Sequence, residues 1–277
     1  MSDYLSTLKA DQLSNIYAVI DEANKMGVTN PHAQAAILDV ISKESAFYPQ
    51  PETSYRNTSN DRIRKIFGSR VPADDASLNK LKQNDEAFFN AVYGGRYGNS
   101  PSEGYKFRGR GFNQLTFKGN YASIGQRIGK DLVTNPDVVN NIDVAAAIVI
   151  DYFKREFAKK GLDINSFTDS RTALKRVFEA NRGFAHGSID EVPDKTGGYQ
   201  LALTRIDDFD KIVGEGKKKK ITEYAIIVLL SLALYYIVIK LIPALANYKI
   251  VVLILMLVGV YFTYQKTSLK NINNLVI

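Results

Sequence analysis

Gly104-Tyr105-Lys106-Phe107-Arg108-Gly109-Arg110-Gly111-Phe112-Asn113-Gln114-Leu115-Thr116-Phe117-Lys118-Gly119-Asn120-Tyr121 follows neither a helical nor a strand period, although the sequence around it is helical. Four glycines let backbone turn sharply or approach a ligand where a Cβ would interfere. Amide, hydroxyl and phenol groups supply both donors and acceptors, which suits a neutral ligand rich in hydroxyls and amides, such as an amino sugar. An ordinary glycine-rich surface turn has the same composition. The stretch therefore needs partners elsewhere in the chain before it counts as a site.

Upstream, helical spacing dominates. Leu13, Ile16, Tyr17, Ile20 and Ala23 form an apolar stripe with Asp11 as its cap and Gly27 as its stop. Asn30-Pro31 opens a second helix whose stripe is Ala33, Ile37, Val40 and Ile41. Residues 49–60 are polar and contain proline, a loop, and short helices are expected over 61–67, 74–82 and 85–92. Downstream, helices are expected over 121–128, 143–160, 170–180 and 198–213. No sustained period-two stretch appears, so the body, residues 1–213, reads as mainly α with at most a small hairpin.

Beyond Val213 the composition changes. Residues 214–220, Gly-Glu-Gly followed by four lysines, read as a basic linker. Residues 221–242 are apolar apart from Thr222, Ser231, Glu223 near the start and Lys240 near the end, a length that matches a bilayer crossing. A second apolar run, 250–264, sits between Lys249 and Lys266, which can reach the headgroups. The reading is a transmembrane hairpin over 221–264, with spans at 221–242 and about 248–264, then a polar tail at 265–277. Lysines crowd the side that holds the body and the tail, which places both on the cytoplasmic side of the host membrane.

The net charge of +7 belongs to this C-terminal region: residues 1–216 hold 28 basic and 28 acidic groups. A nucleic-acid-binding body would carry its basic excess on the folded domain, and this one has none, so nucleic acid is not an expected partner. The chain has no Cys, which excludes disulfides, and residues 1–13 contain no apolar export segment. His32 and His186 stand far apart without ligand-type neighbours, so no metal and no other cofactor is expected. No nucleophile elbow and no phosphate-binding glycine loop occurs.

Carboxylate chemistry remains. Glu44 falls three residues after Ile41 and seven after Ile37, at the edge of an apolar helix face, where partial desolvation suits a general acid. Glu52 lies in the polar loop Gln50-Pro51-Glu52-Thr53-Ser54-Tyr55, where a carboxylate stays solvated and ionised. An acid and a base in different settings are what glycoside hydrolysis requires. Taken singly, each is better read as an ordinary surface glutamate.

Several separated segments agree with one family. Lys43-Glu44-Ser45, Phe47, Glu52, Tyr55 and Arg62-Ile63-Arg64-Lys65-Ile66-Phe67 resemble the first half of glycoside hydrolase family 19, the plant-type chitinases and many phage endolysins. Tyr93, Arg96, Tyr97, Gly98 and Asn99 resemble its Tyr-x-x-Arg-x-Gly-Asn segment. Gly109-Arg110-Gly111, Gln114-Leu115-Thr116 and Asn120-Tyr121 resemble its central signature. Asp131-Leu132, Asn135-Pro136 and Asn181 with Gly183 follow in order, so the resemblance covers roughly residues 10–213.

The resemblance implies a bilobed, lysozyme-like α domain that cleaves glycosidic bonds by a single inverting displacement. It implies Glu44 as general acid, Glu52 as general base and Thr116 as the residue that helps position water. It implies Gln114, Asn120, Tyr121 and Asn181 as sugar contacts, with Arg110 among the substrate-binding residues but more suited to holding the loop. Lys43 replaces the histidine the family often has, and Arg182 replaces a glycine in the late motif. The expected activity is endolysin-like hydrolysis of β-1,4 bonds between the amino sugars of peptidoglycan. The expected setting is the internal membrane of a membrane-containing bacteriophage, facing the capsid, with lipid bilayer and capsid or other membrane proteins as neighbours. The alternatives are a chitinase, or an inactive membrane-tethered structural or glycan-binding protein.

Overall fold

The computed structural model describes residues 4–181, 198–241, 253–255 and 258–259, with only part of the side chains between 217 and 241. The chain divides into two compact units, Met1–Asp210 and Lys211–Ile277. Nine α-helices are described: α1 Ala10–Lys25, α2 Pro31–Ser45, α3 Asn60–Phe67, α4 Asp75–Leu81, α5 Asp85–Tyr93, α6 Lys118–Ile128, α7 Ile142–Lys159, α8 Ser170–Asn181 and α9 Gly198–Leu241. Short 3-10 turns occur at Tyr4–Thr7, Gly68–Arg70 and Pro136–Asn140. The mainly α reading holds. Among the described residues the only β-type pairing is an isolated antiparallel bridge between Arg110 and Leu115.

Local chemistry sets several helix starts. The Asn30 side chain accepts the Ala33 N–H with Pro31 in the first turn, Asp74 accepts the Ser77 N–H, and Asn84 accepts the Ala87 N–H. The expected Asp11 cap is corrected: α1 begins at Ala10, so Asp11 lies inside the first turn, while the Lys9 N–H is satisfied by the Gln12 side chain.

Helix α2 is the hub of the first unit, every residue from Ala33 to Ser42 being buried. It packs on α8 and α1, and α7 packs on α1, α6 and α8. Helices α3–α5 enclose a separate core of Ile63, Phe67, Val71, Leu78, Phe88, Phe89 and Val92, against which Tyr55 and Tyr93 pack. The glycine-rich stretch folds with α6 over α7 around Phe107, Leu115, Tyr121, Ile124, Leu132, Val139, Val144 and Ile148. Glu52 links these last two regions, since its loop carries Tyr55 on one side and bonds Gly109 on the other.

One buried charge in α2 has a measurable consequence. Asp39 is fully buried; one of its oxygens takes the Arg205 guanidinium and the other has no hydrogen-bond partner. Burial pushes its carboxyl up to about 7, against the opposing pull of Arg205. The folded value lies above that of an unfolded aspartate, so the folded protein gains a proton as pH falls from about 7 towards about 4. Stability is expected to rise over that window and to be lost as pH climbs through 7. Asp39→Asn should flatten this dependence in urea titrations at pH 5 and pH 7.5; an unaltered slope would assign it to other groups.

The C-terminal expectations fare differently. Residues 214–220 are helical, since α9 runs through them, while the boundary between the two compact units falls just before, at Asp210 and Lys211. Lysine is a good helix former, and two glycines cost about 1 kcal/mol each, less than enough to interrupt a 44-residue helix. The hairpin is not shown: among the described residues no helix is long and apolar enough to cross a membrane. The first expected span, 221–242, is described only in part. Most of the second, the tail 265–277, Arg182, Gly183 and His186 lie outside the described residues.

Candidate active site

Glu44 lies in the last turn of α2, and the chain leaves that helix through two consecutive left-handed residues, Ala46 (φ 48°) and Phe47 (φ 67°). Neither is glycine, so both are strained and must be held. The Gln12 side chain donates to the Ala46 carbonyl at 3.0 Å and Asn15 to the Phe47 carbonyl at 2.9 Å. Phe47 is fully buried and meets Phe209 edge-on. This turn ends the helix just past Glu44 and sends the chain into the Glu52 loop.

Glu44 is covered only in part. Its side chain is 40% exposed, because the last helical turn projects beyond the packed part of α2. Asn181 Nδ2 donates to Glu44 Oε1 at 3.3 Å. Lys43 Nζ lies 3.9 Å from the same oxygen and over the Phe178 ring. Lys43 and Asn181 therefore face Glu44 from α2 and α8.

Glu52 is the more constrained carboxylate, contrary to the solvated loop residue expected. Oε1 accepts the Tyr55 hydroxyl at 3.0 Å and the Tyr93 hydroxyl at 2.9 Å, and Oε2 accepts the Gly109 N–H at 3.2 Å. The Glu52 N–H returns to the Gly109 carbonyl at 2.8 Å. Burial, and after it the Glu52 charge, push both phenols well above the ordinary tyrosine range, so they remain donors. With two phenols on Oε1 and one amide on Oε2, Oε2 keeps an acceptor position open.

The glycine-rich stretch wraps this group. Gln114, left-handed at φ 53°, donates to the Gln50 carbonyl at 3.1 Å and so ties the stretch to the Glu52 loop. Thr116 Oγ1 donates to the Gln114 carbonyl at 2.8 Å, which commits its proton and leaves its lone pairs available. Asn120 Nδ2 donates to the Thr116 carbonyl at 2.8 Å, and its side chain is exposed.

Arg110 and Tyr121 are not exposed to a ligand. Arg110 is 2% exposed and its guanidinium bonds Asp137, the Lys106 and Arg108 carbonyls and the Tyr121 hydroxyl. Tyr121 is fully buried and donates to the Arg108 carbonyl, its phenol pushed up to about 12 by burial. Both hold the stretch from behind. Two residues without an assigned role in the sequence, Tyr55 and Tyr93, hold Glu52 instead. Tyr55 is three positions from Glu52, a local spacing; Tyr93 is 41 positions away, and no spacing signals it.

Gly109 is where the site is tightest. A Cβ there would lie 2.6 Å from Gln114 Oε1 and 3.2 Å from Glu52 Oε2. Both neighbours are side-chain ends that can move, so Gly109→Ala is expected to lower stability by only about 1 kcal/mol. Moving them shifts Glu52, and displacement of a reacting group by about 1 Å costs about a hundredfold in rate. Equal hydrolysis by wild type and variant would show that Glu52 tolerates the shift.

Residues 82–160 match the family model described as Glyco_hydro_19, Chitinase class I. A glycosyl hydrolase family 19 domain-containing protein of Haemophilus influenzae is 29% identical over 140 residues, 50% of this chain and 68% of that protein. Among solved structures, chitinase C from Streptomyces griseus gives a TM-score of 0.42 at 15% identity, covering 74% of this chain and 76% of that one. A chitinase C mutant gives 0.35 at 19% identity, covering 74% and 81%. Over these residues the chain is similar to glycoside hydrolase family 19 proteins, and that similarity supports a glycosidase.

Proposed function

We propose that this glycosidase hydrolyses the β-1,4 bonds between amino sugars in peptidoglycan glycan strands, with inversion at the anomeric carbon. The observation that carries the reading is the pair of carboxyl groups in contrasting settings. Glu44 is exposed at a helix end, and Glu52 is clamped by three donors with one acceptor position on Oε2 still open. Glu44 gives its proton to the leaving glycosidic oxygen. Water attacks the opposite face, and its proton passes to Glu52 Oε2. Thr116 accepts a hydrogen bond from that water, Gln114 and Asn120 contact sugar hydroxyl or acetamido groups, and Asn181 orients Glu44. Peptidoglycan is chosen over chitin because the body is compact and has no cysteine to staple it. The family description favours chitin as the second substrate.

Purified sacculi digested with the full chain should release muropeptides with a free reducing end of inverted configuration, read by NMR on fresh product. An anhydro end would make it a lytic transglycosylase, and a retained anomer would remove Glu52 from the base role. Cleavage of chitin oligomers with sacculi left intact would establish the second substrate.

The C-terminal region supports a membrane anchor as part of the same proposal. Ile226, Val228, Leu229, Leu230, Leu232, Leu234 and Ile237 are all exposed on the distal part of α9. An apolar surface of that extent is costly in water and fits lipid. The setting we propose is a virion membrane with the catalytic domain facing the capsid; the lysine asymmetry supports the cytoplasmic-side placement of the domain that this setting needs. Flotation of the full chain with liposomes tests the anchor; a chain that stays at the bottom of the gradient would remove it.

A further inference from the structure

Tyr97 is the most exposed of the large apolar side chains described, at 67%, yet its backbone is firmly placed. It is left-handed, φ 43°, and its carbonyl accepts the Gly119 N–H at 3.0 Å. A Cβ on Gly119 would come within 2.8 Å of that carbonyl, so the glycine permits the approach. Asn99, buried two residues later, bonds the Tyr93 carbonyl and the Lys118 N–H, pinning both ends of the 93–99 loop. Strain of this kind in a non-glycine residue that shows its ring to solvent marks a residue held out for contact.

The ring continues a row that ends at the candidate base. Its centroid lies 4.8 Å from Phe117, which has a left-handed backbone of its own (φ 74°). Phe117 meets Tyr93 edge-on at 5.4 Å, and Tyr93 donates its hydroxyl to Glu52. The Arg96 guanidinium sits 5.3 Å from the Tyr97 centroid and 5.4 Å from that of Phe117, bracing both rings. A pyranose ring presents C–H groups on its faces, and an electron-rich aromatic face is their natural partner. We propose that Tyr97 is a stacking platform for one sugar ring of the bound glycan, at a position beyond the bond being cut on the Glu52 side. This rests on the glycan-hydrolase reading and adds a subsite to it.

The test is steady-state hydrolysis of soluble, peptide-free glycan strands by the full chain and its Tyr97→Ala and Tyr97→Phe variants. Loss of one stacked ring contact predicts a KM raised about five- to tenfold in Tyr97→Ala with kcat little altered. Tyr97→Phe should restore KM, since the ring and not the hydroxyl makes the contact. An unchanged KM in Tyr97→Ala overturns the inference. So does a lowered kcat at constant KM, which would make Tyr97 a support for Phe117 and Glu52, and so does a Phe variant that fails to rescue. A wild-type chain that neither binds nor cuts glycan strands overturns the hydrolase reading, and this inference with it.

Discussion

Glu44→Gln is expected to lower hydrolysis of sacculi by about 10²–10⁴-fold, the usual contribution of a positioned general acid. The exchange removes the carboxyl proton proposed for the leaving oxygen and leaves the rest of the site in place. Glu44 is exposed, and among the described residues its partners are the Asn181 amide and the Lys43 ammonium, both donors. A glutamine carbonyl still accepts from Asn181, so the thermal midpoint should move by no more than a degree or two. KM should hold, because the sugar-facing groups on the glycine-rich stretch are untouched. Glu52 is a poorer place for the same experiment. Both its oxygens already accept from donors, so an amide NH₂ there would oppose a phenol or the Gly109 N–H and disturb the loop. Full activity in Glu44→Gln would remove Glu44 from the acid role and direct attention to another carboxyl group.

The residues that were legible in sequence are those whose role is local. Asn30, Asp74 and Asn84 cap the helices that follow them, and the apolar period of 143–160 matches α7 closely. Glu44 and Glu52 could be singled out because helical spacing and loop composition are properties of short segments. Direction was not legible. Tyr121 is a neutral polar group like Gln114 and Asn120 in the same stretch, and only the fold decides which of them turns inward; Arg110 is already the residue more suited to holding the loop. A one-residue bridge at Arg110 and Leu115, with Gln114 in a left-handed conformation, makes that decision. Glu52 was read as solvated because the donors that fix it come from Tyr93 and Gly109, 41 and 57 positions away. The helix through 214–220 escaped because linker composition and helix propensity conflict there. Lysine favours helix whether or not glycine flanks it.

Arg110→Lys separates a residue that builds the site from one that touches substrate. The Arg110 guanidinium spends its donors on four partners: Nε and Nη2 on Asp137 at 2.8 Å each, and Nη1 on the Lys106 and Arg108 carbonyls and the Tyr121 hydroxyl. Lysine keeps the charge but has one compact ammonium, which cannot reach all of these at once. Asp137 is 73% exposed and returns to water at little cost, so its share of the loss is small. The loop carbonyls and the buried space left around a shorter head group carry the rest. The expected destabilisation is about 3 kcal/mol, or about 6–12 °C in thermal midpoint for a domain of this size. Activity should fall as well, because Arg110 follows the glycine that donates to Glu52 Oε2 and accepts from the Glu52 N–H. The loss should appear mainly in kcat, since the base is displaced while the sugar contacts remain. A variant with unchanged melting and a raised KM would give the opposite answer, returning Arg110 to the substrate-binding role that the sequence motif implies.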